Sequence, residues 1–353
     1  MTNTQVVIVG AGQAGLSVAF YLKRFELSPG EDFIVYDRGP GTGGAWQFRW
    51  DALKLGSAHR VNDLPGMAQL GISFETADRS LPAKDIVAGY YRRYEEHFDL
   101  RVQRPVAVSR VVNRGADLVV QHSLGETTTR LLVNATGTWG APFIPYYPGV
   151  STFFGRHVHT SSYTSAEEFE GKRIVVVGGG TSAIGFLLEL ENVASDVVWA
   201  TRRPADIRDT AELTVEDSVA AVAVQDAAAR AGLALPSVVS GTGVPRTRRI
   251  AAGIERGVLV ERPMFTAIEE HGVRWPDGSF SEVDAIIWAT GFRPELRHLA
   301  PLQLREKAGG LTVASGASWQ DPRIFLAGYG PQASTAGANR AGRMIARQIM
   351  AQL

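Results

Sequence analysis

Two glycine-rich turns, each set between a buried strand and a helix, constrain this chain more than any other feature. Val6-Val7-Ile8-Val9 reads as a strand covered on both faces, and the helical run Leu16–Phe25 lies close behind it. Between them stands Gly10-Ala11-Gly12-Gln13-Ala14-Gly15, which is G-x-G-x-x-G in the strand–turn–helix setting the pattern needs. Gly10 permits the tight turn, Gly12 lets a pyrophosphate approach the backbone, and Gly15 lets helix and strand pack closely. The helix start, with Gln13 and Ala14, offers unpaired N–H groups to the phosphates. A second strand, Phe33–Tyr36, ends at Asp37-Arg38, and Asp37 lies 22 residues after Gly15 (37 minus 15), where an acid binds a ribose hydroxyl pair.

The pattern then repeats. Arg173–Val177 reads as a strand, Gly178-Gly179-Gly180-Thr181-Ser182-Ala183 as G-x-G-x-x-A, and Ile184–Leu190 as a helix. Gly178, Gly180, Thr181, Ser182 and Ala183 are the expected contacts of this second site. Its next strand, Asp196–Ala200, runs into Thr201-Arg202-Arg203, with no acid matching Asp37. A planar, permanently charged guanidinium at Arg202 or Arg203 suits a 2′-phosphate; the bland alternative is a solvated strand end. The two turns are 168 residues apart (178 minus 10). A dehydrogenase with one cofactor needs one such turn. Two imply electron transfer between dinucleotides, and FAD with NADPH is the usual pair. Both halves also close alike: Leu131–Asn134 leads into Ala135-Thr136-Gly137, and Ile286–Trp288 into Ala289-Thr290-Gly291. Small residues there let the backbone pass close to a cofactor. A third contact is expected near the end of the chain, where Ile324–Ala327 is broken by Gly328 and a last helix starts around Ser334, Thr335 and Ala336.

Composition narrows the chemistry. Cysteine is absent, which excludes a disulfide scaffold, a thiolate metal site and any redox thiol of the protein itself. Thirty-six basic residues balance 36 acidic ones, which argues against general nucleic-acid binding. No stretch has the length and apolarity of a membrane span, and none reads as a secretory signal. The expected location is therefore cytoplasmic. The final helix is amphipathic, with Ala341, Met344, Ile345 and Ile349 opposite Arg340, Arg343 and Arg347, and is expected to pack on its own domain. His157-x-His159 lacks the acidic or thiol company of a metal site, so no metal is expected.

These features resemble the two-dinucleotide-binding-domain flavoproteins, and within them the flavin-containing monooxygenases. Gly43-Gly44-Ala45-Trp46 looks like that family's G-G-x-W. Phe153, Gly155, His159 and Tyr163 match its fingerprint F-x-G-x-x-x-H-x-x-x-[YF]. The resemblance implies that the fingerprint arranges the linker and the bound NADP without acting as acid or base. Tyr163, where the related Baeyer–Villiger enzymes usually carry tryptophan, tilts the implication toward oxygenation of heteroatoms. The family often sets an asparagine against the flavin. Here the stretch is Leu55–Asn62, with Ser57 or His59 in that place. Gly43–Pro65 is thus the expected active-site wall, with Trp46, Trp50, His59 and Arg60 in it; His59 and Arg60 are the candidate flavin-facing residues, and core packing is the alternative for the tryptophans.

The expected architecture is α/β: two Rossmann-like three-layer domains, with FAD on residues 1–150 and 285–353 and an inserted NADPH domain at 151–284. By resemblance, NADPH reduces the flavin, oxygen gives a flavin C4a-(hydro)peroxide, and the oxygen passes to sulfur or nitrogen of a small molecule. Molecular oxygen and that substrate are the expected partners, and a homodimer is the assembly to test for. Two rivals stand beside this reading. One is an NADPH-dependent reductase or oxidase that serves a quinone, a redox protein or oxygen without inserting oxygen. The other is a flavin-binding redox sensor without turnover.

Overall fold

Strand residues with every side chain apolar can only be satisfied between two layers, and the computed structural model builds both halves that way. It describes residues 2–58, 61–210, 215–235, 243–333 and 335–353. The chain divides into two compact units. One comprises Met1–Gly140, Val222–Leu235 and Pro294–Leu353; the other Ala141–Ala221 and Pro236–Arg293.

The first unit carries β1 (Thr2–Val9), α1 (Gln13–Arg24), β2 (Phe33–Tyr36), α2 (Ala83–His97), β3 (Val108–Arg114), β4 (Asp117–His122), β5 (Gly125–Asn134), β16 (Val313–Ala314), β17 (Ala317–Ser318), β18 (Ile324–Leu326) and α6 (Thr335–Met350). Its sheet runs β16-β17-β18-β5-β1-β2, and β1 pairs in parallel with both β2 and β5. β5 serves two neighbours along one edge: its first half pairs with β4 and its end with β18. Period-two alternation sorts the strand residues. Val6, Ile8, Phe33 and Val35 face α1, α2 and α6, whereas Val7, Val9, Ile34 and Tyr36 face the β3–β4 hairpin and the segment around Leu299. The last helix packs as its pattern predicts. Ala341, Ile345 and Ile349 are buried in that first core, and Gly342 faces Ser17 of α1 so closely that a Cβ there would meet its hydroxyl at 2.2 Å.

The second unit carries β6 (Arg156–His159), β7 (Arg173–Val177), α3 (Thr181–Leu190), β8 (Asp196–Thr201), β9 (Ile207–Arg208), β10 (Val244–Pro245), α5 (Arg248–Glu255), β11 (Glu261–Pro263), β12 (Ala267–Glu269), β13 (Gly272–Arg274), β14 (Phe280–Glu282) and β15 (Ala285–Trp288). Its five-stranded sheet, β11-β8-β7-β15-β6, is parallel throughout. The three-stranded sheet β12-β13-β14 covers one face through Phe265, Ile268, Val273 and Trp275. Helix α4 (Val215–Arg230) begins in this unit and ends in the other.

The unit borders depart from the expected 150/151 and 284/285. Tyr147 and Val150 pack on Phe265 and Trp288, so residues 141–150 belong to the second unit. β15 lies between β7 and β6, so the chain leaves this unit only after Arg293. Residues 222–235 were expected with the second nucleotide domain. They join the first unit, because Ala229 enters its second core and Leu233 bridges to Gly309. Arg248 and Arg249 open α5 behind the Thr247 cap, whose hydroxyl accepts from Ile250 N–H.

At the start of the second unit's sheet, Asp284 accepts from the Arg173 backbone N–H at 2.8 Å and from its guanidinium at 2.9 and 3.1 Å. These bonds lower the Asp284 carboxyl from 3.8 to about 2. A depressed carboxylate stabilises the fold above its unfolded value, and that contribution disappears as pH falls through the folded one. We expect Asp284→Asn to lower Tm by roughly 2–4 °C at pH 7, as for a partly exposed pair worth about 1 kcal/mol. The gap to the parent should close between pH 4 and pH 2 in thermal melts. A gap that persists unchanged at pH 2 would refute the assignment.

Candidate functional site

The first cradle is built at the C-terminal ends of β1, β2 and β5. Gly10 has φ +105° and donates its N–H to Tyr36 O at 2.7 Å. A Cβ on Gly10 would stand 2.5 Å from the Ala135 carbonyl oxygen, the first residue of A-T-G. A Cβ on Gly15 would stand 1.8 Å from Gly10 O, so α1 presses directly on the turn. Gly12 caps α1 with no side-chain hydrogen bond, and no acid lies in the first helical turn. A Cβ on Gly12 would meet nothing closer than Gly44 Cα at 3.9 Å, so the backbone there is open to a ligand. An uncapped, acid-free helix N-terminus behind an open glycine fits a pyrophosphate.

Asp37, buried at the end of β2, accepts from Ala11 N–H and from Gly39 N–H, both at 2.7 Å. Behind it Arg104 forms a two-pronged bond to Glu95 at 2.6 and 2.9 Å, with its Nε 3.9 Å from Asp37. Burial raises the Glu95 carboxyl, against the pull of Arg104. Arg38 is half exposed, 3.8 Å from Glu295, and lies over Gly140. The Thr136 hydroxyl is committed to Glu295 O at 2.7 Å, and Gly137 takes a left-handed turn at φ +64°. Gly328 (φ +76°) approaches the Ala14 side chain, where a Cβ would come within 3.2 Å. Ala14 and the end of the chain thus meet at one cradle.

Gln13 does more than open the helix. Its amide donates to Asn62 O at 3.0 Å and to Asn339 Oδ1 at 2.9 Å, while Tyr91 donates to its oxygen. Asn339 donates in turn to Asp63 O. This network ties α1, α2 and α6 to the segment after G-G-x-W, and Asn62 serves it through its main chain. Gly44 sits against Gly12, where its Cβ would fall 2.7 Å from Gly12 Cα. Trp46 and Trp50 are both buried. His59, Arg60 and Ser334 lie outside the described residues, as do the side chains of Thr335 and Ala336, whose backbones open α6.

The second cradle repeats the first. Gly178 has φ +137°, donates to Ala200 O at 3.0 Å, and would bring a Cβ within 2.4 Å of the Ala289 carbonyl oxygen. Gly180 caps α3 with no side-chain bond; Thr181, Ser182 and the buried Ala183 form the first turn. Trp199 donates its indole N–H to Gly178 O at 2.6 Å and holds the turn from below. Arg202 and Arg203 are exposed just past β8. The sequence pattern missed one neighbour. Glu261, on β11, accepts from the Thr201 hydroxyl at 2.9 Å and from Ala205 N–H at 3.0 Å. Only strand pairing brings it there.

The fingerprint residues are braces within the second unit. His159 Nδ1 accepts from Ser161 N–H at 3.1 Å, which leaves Nε2–H to donate to Gly291 O at 2.9 Å, the last residue of the second A-T-G. Burial lowers the imidazole below its ordinary value, opposed by that bond. Thr290 donates its hydroxyl to Phe143 O. Phe153 packs beside Trp288, and Gly155 has no room for a Cβ, which would stand 2.6 Å from Asp284 O. Tyr163 donates to Glu189 at 3.1 Å, and burial raises its phenol. His157 links Trp288 Nε1 and Val150 O. Among the described residues no group of three or more His, Cys, Asp or Glu could hold a metal ion, and no helix is long and apolar enough to cross a membrane.

Two units, each with a parallel strand core and a glycine turn set on an A-T-G carbonyl, define a two-dinucleotide oxidoreductase. The family described as pyridine nucleotide-disulphide oxidoreductase matches residues 7–225. A rice protein named indole-3-pyruvate monooxygenase YUCCA4 is 30% identical over 85% of this chain and 76% of its own. An uncharacterized oxidoreductase, CzcO of Bacillus velezensis, is 26% identical over 91% and 90%. Among solved structures, a flavin-containing monooxygenase from Stenotrophomonas maltophilia superposes with a TM-score of 0.81 at 29% identity, covering 100% of this chain and 99% of that one. The chain belongs to the pyridine nucleotide-disulphide oxidoreductase family and is one of its flavin-monooxygenase-like members. FAD and NADPH are the cofactors of that family. With no cysteine, this chain cannot run the disulfide chemistry in the family's name through a thiol of its own.

The two cradles should fail separately. We expect Gly10→Ala to purify with little FAD, and Gly178→Ala to retain FAD while kcat/KM for NADPH falls roughly tenfold or more, because each new Cβ strikes a backbone carbonyl. FAD absorbance per protein and anaerobic reduction by NADPH measure both. Equal FAD loss in the two variants would contradict separate sites.

Proposed function

We propose that this protein is an FAD- and NADPH-dependent monooxygenase that inserts one atom of molecular oxygen into a soft nucleophile, sulfur or nitrogen, of a small molecule. The first unit takes FAD and the second NADPH. The observation that carries this reading is the duplicated cradle joined to an intact fingerprint, with His159 fixed on Gly291. FAD, when bound, supplies the hydride and oxygen chemistry. The chain supplies placement. The α1 and α3 N-termini receive pyrophosphates, Asp37 receives the ribose of the first dinucleotide, and Gly328 brings the last helix to the same cofactor. His159 keeps the second A-T-G in position through a neutral imidazole and takes no part in proton transfer.

Preference between nicotinamide cofactors rests on opposed charges. The strand register supports matching Thr201 to Asp37: Val9 pairs with Tyr36 as Val177 pairs with Ala200, and Gly10 and Gly178 each donate to those partners. Thr201 cannot itself accept as an anion, but Glu261 stands on its hydroxyl. A carboxylate there favours a free ribose hydroxyl and opposes a 2′-phosphate, while Arg202 and Arg203 favour the phosphate. The reading is therefore NADPH preferred, with NADH a usable second donor. We expect Arg202→Ala to weaken NADPH use far more than NADH use, and Glu261→Gln to raise the NADPH/NADH ratio of kcat/KM several-fold. Binding of 2′,5′-ADP against 5′-AMP should move in parallel. Equal effects on both nucleotides would remove this assignment.

Oxygen insertion is tested with ¹⁸O₂, NADPH and a panel of sulfides and amines on the purified holoenzyme. Incorporation of one labelled atom per product, coupled to NADPH consumption, is the expected result. NADPH consumption with stoichiometric peroxide and no labelled product across the panel would instead favour an oxidase or reductase.

A further inference from the structure

Arg49 is a largely enclosed cation that meets no carboxylate at ion-pair distance among the described residues. It follows the short helix Gly44–Phe48 as its C-cap. Its guanidinium lies 4.0 Å over the Trp139 ring and 5.5 Å from that of Trp46. Nε is buried with no hydrogen-bond partner, and among the described residues no carboxylate reaches ion-pair distance. Burial lowers this group to about 10, which still leaves it charged at neutral pH. The other enclosed arginines are built differently: Arg104 has Glu95 and Arg323 has Asp321. Indole faces offset part of the cost of burying a charge, but they offer a guanidinium nothing to donate to.

The position of Arg49 says what is missing. Trp46 belongs to the G-G-x-W turn, whose Gly44 touches the Gly12 backbone, and Trp139 lies two residues beyond Gly137 of the first A-T-G. The cation therefore sits beside the flavin cradle. The pyrophosphate is already served by the α1 N-terminus. Trp46 is buried behind the cation, the half-buried Trp139 ring offers an aromatic surface beside it, and a guanidinium lying over that ring keeps its edge for a planar, two-oxygen acceptor. We propose that Arg49 is the receptor for a carboxylate on the substrate, so that the molecule oxygenated is an organic acid carrying the soft nucleophile. This rests on the monooxygenase reading above and names its substrate class.

The test uses FAD-loaded enzyme and paired probes: phenylacetate with phenylacetamide, and (phenylthio)acetate with (phenylthio)acetamide. Binding is read without NADPH from the flavin difference spectrum, and oxygenation separately with NADPH. The parent should bind each acid roughly tenfold or more tighter than its amide, as a lost charge-assisted bond predicts. Arg49→Met should keep its FAD and bind acid and amide alike, and Arg49→Lys should recover part of the preference. If Arg49→Met does not fold, the lysine variant alone decides, since it keeps the charge and loses the fork. Equal binding of acid and amide by the parent overturns the proposal. So does an acid preference that survives in Arg49→Met, or loss of FAD from that variant with the preference intact in its loaded fraction, which would give the cation to the cofactor. Acid-selective binding without any oxygenated product leaves this proposal standing and counts against the monooxygenase reading.

Discussion

In each unit the glycine that opens the turn presses on the first carbonyl of an A-T-G tripeptide. Gly10 lies under the oxygen of Ala135 and Gly178 under that of Ala289, each with positive φ and each too close for any side chain. Those contacts let the chain leave the central strand, turn over the end of its neighbour and enter a helix whose N-terminus is uncapped. The order of strands, the place of the A-T-G tripeptides and the open helix starts all follow. Backbone pressed on backbone tolerates no added atom, so the same three small residues recur in both halves.

Around these fixed turns the charges are arranged in two ways. Some carboxylates and guanidinium groups neutralise each other inside the protein, as Arg104 does with Glu95 behind Asp37, or Arg173 with Asp284 at the base of the second sheet. Others have no opposite charge at ion-pair distance among the described residues, and we propose above that they face ligands. Glu261 holds the Thr201 hydroxyl beside two exposed arginines, and Arg49 lies against indoles with no carboxylate at ion-pair distance among the described residues. A group of the first kind stabilises the fold. A group of the second kind keeps its charge uncompensated by an ion pair, which is the ground for the ligands proposed above.

Much of this was legible before any coordinates. Strands Phe33–Tyr36 and Arg173–Val177 agree residue for residue with their apolar runs, and the amphipathic pattern of the last helix matches its buried face. These elements are local, and burial on both faces or on one stripe is written into a few consecutive residues. The unit borders were less legible. Tyr147 and Val150 follow the first A-T-G yet pack with Trp288, and Ala229 sits on a helix that starts in one unit and ends in the other. Nothing within a short window reveals which core a hydrophobic residue will join. At the expected wall of the site, Trp46 and Trp50 are buried, as core packing also requires, and His59 and Arg60 fall outside the described residues.

The sequence by itself determined two dinucleotide-type turns and a chain with no thiol for redox chemistry, because glycine spacing, apolar strands and the absence of cysteine are properties of the chain alone. The chain's likeness to the flavin-containing monooxygenases rests on G-G-x-W and the Phe153–Tyr163 fingerprint. Tertiary structure decided which distant residues complete those cradles. Gln13 meets Asn339, Thr201 meets Glu261, and Arg49 meets Trp139, over separations of 326, 60 and 90 residues (339 minus 13, 261 minus 201, 139 minus 49). Such meetings arise from strand pairing and helix packing across the whole fold, and no local pattern encodes them.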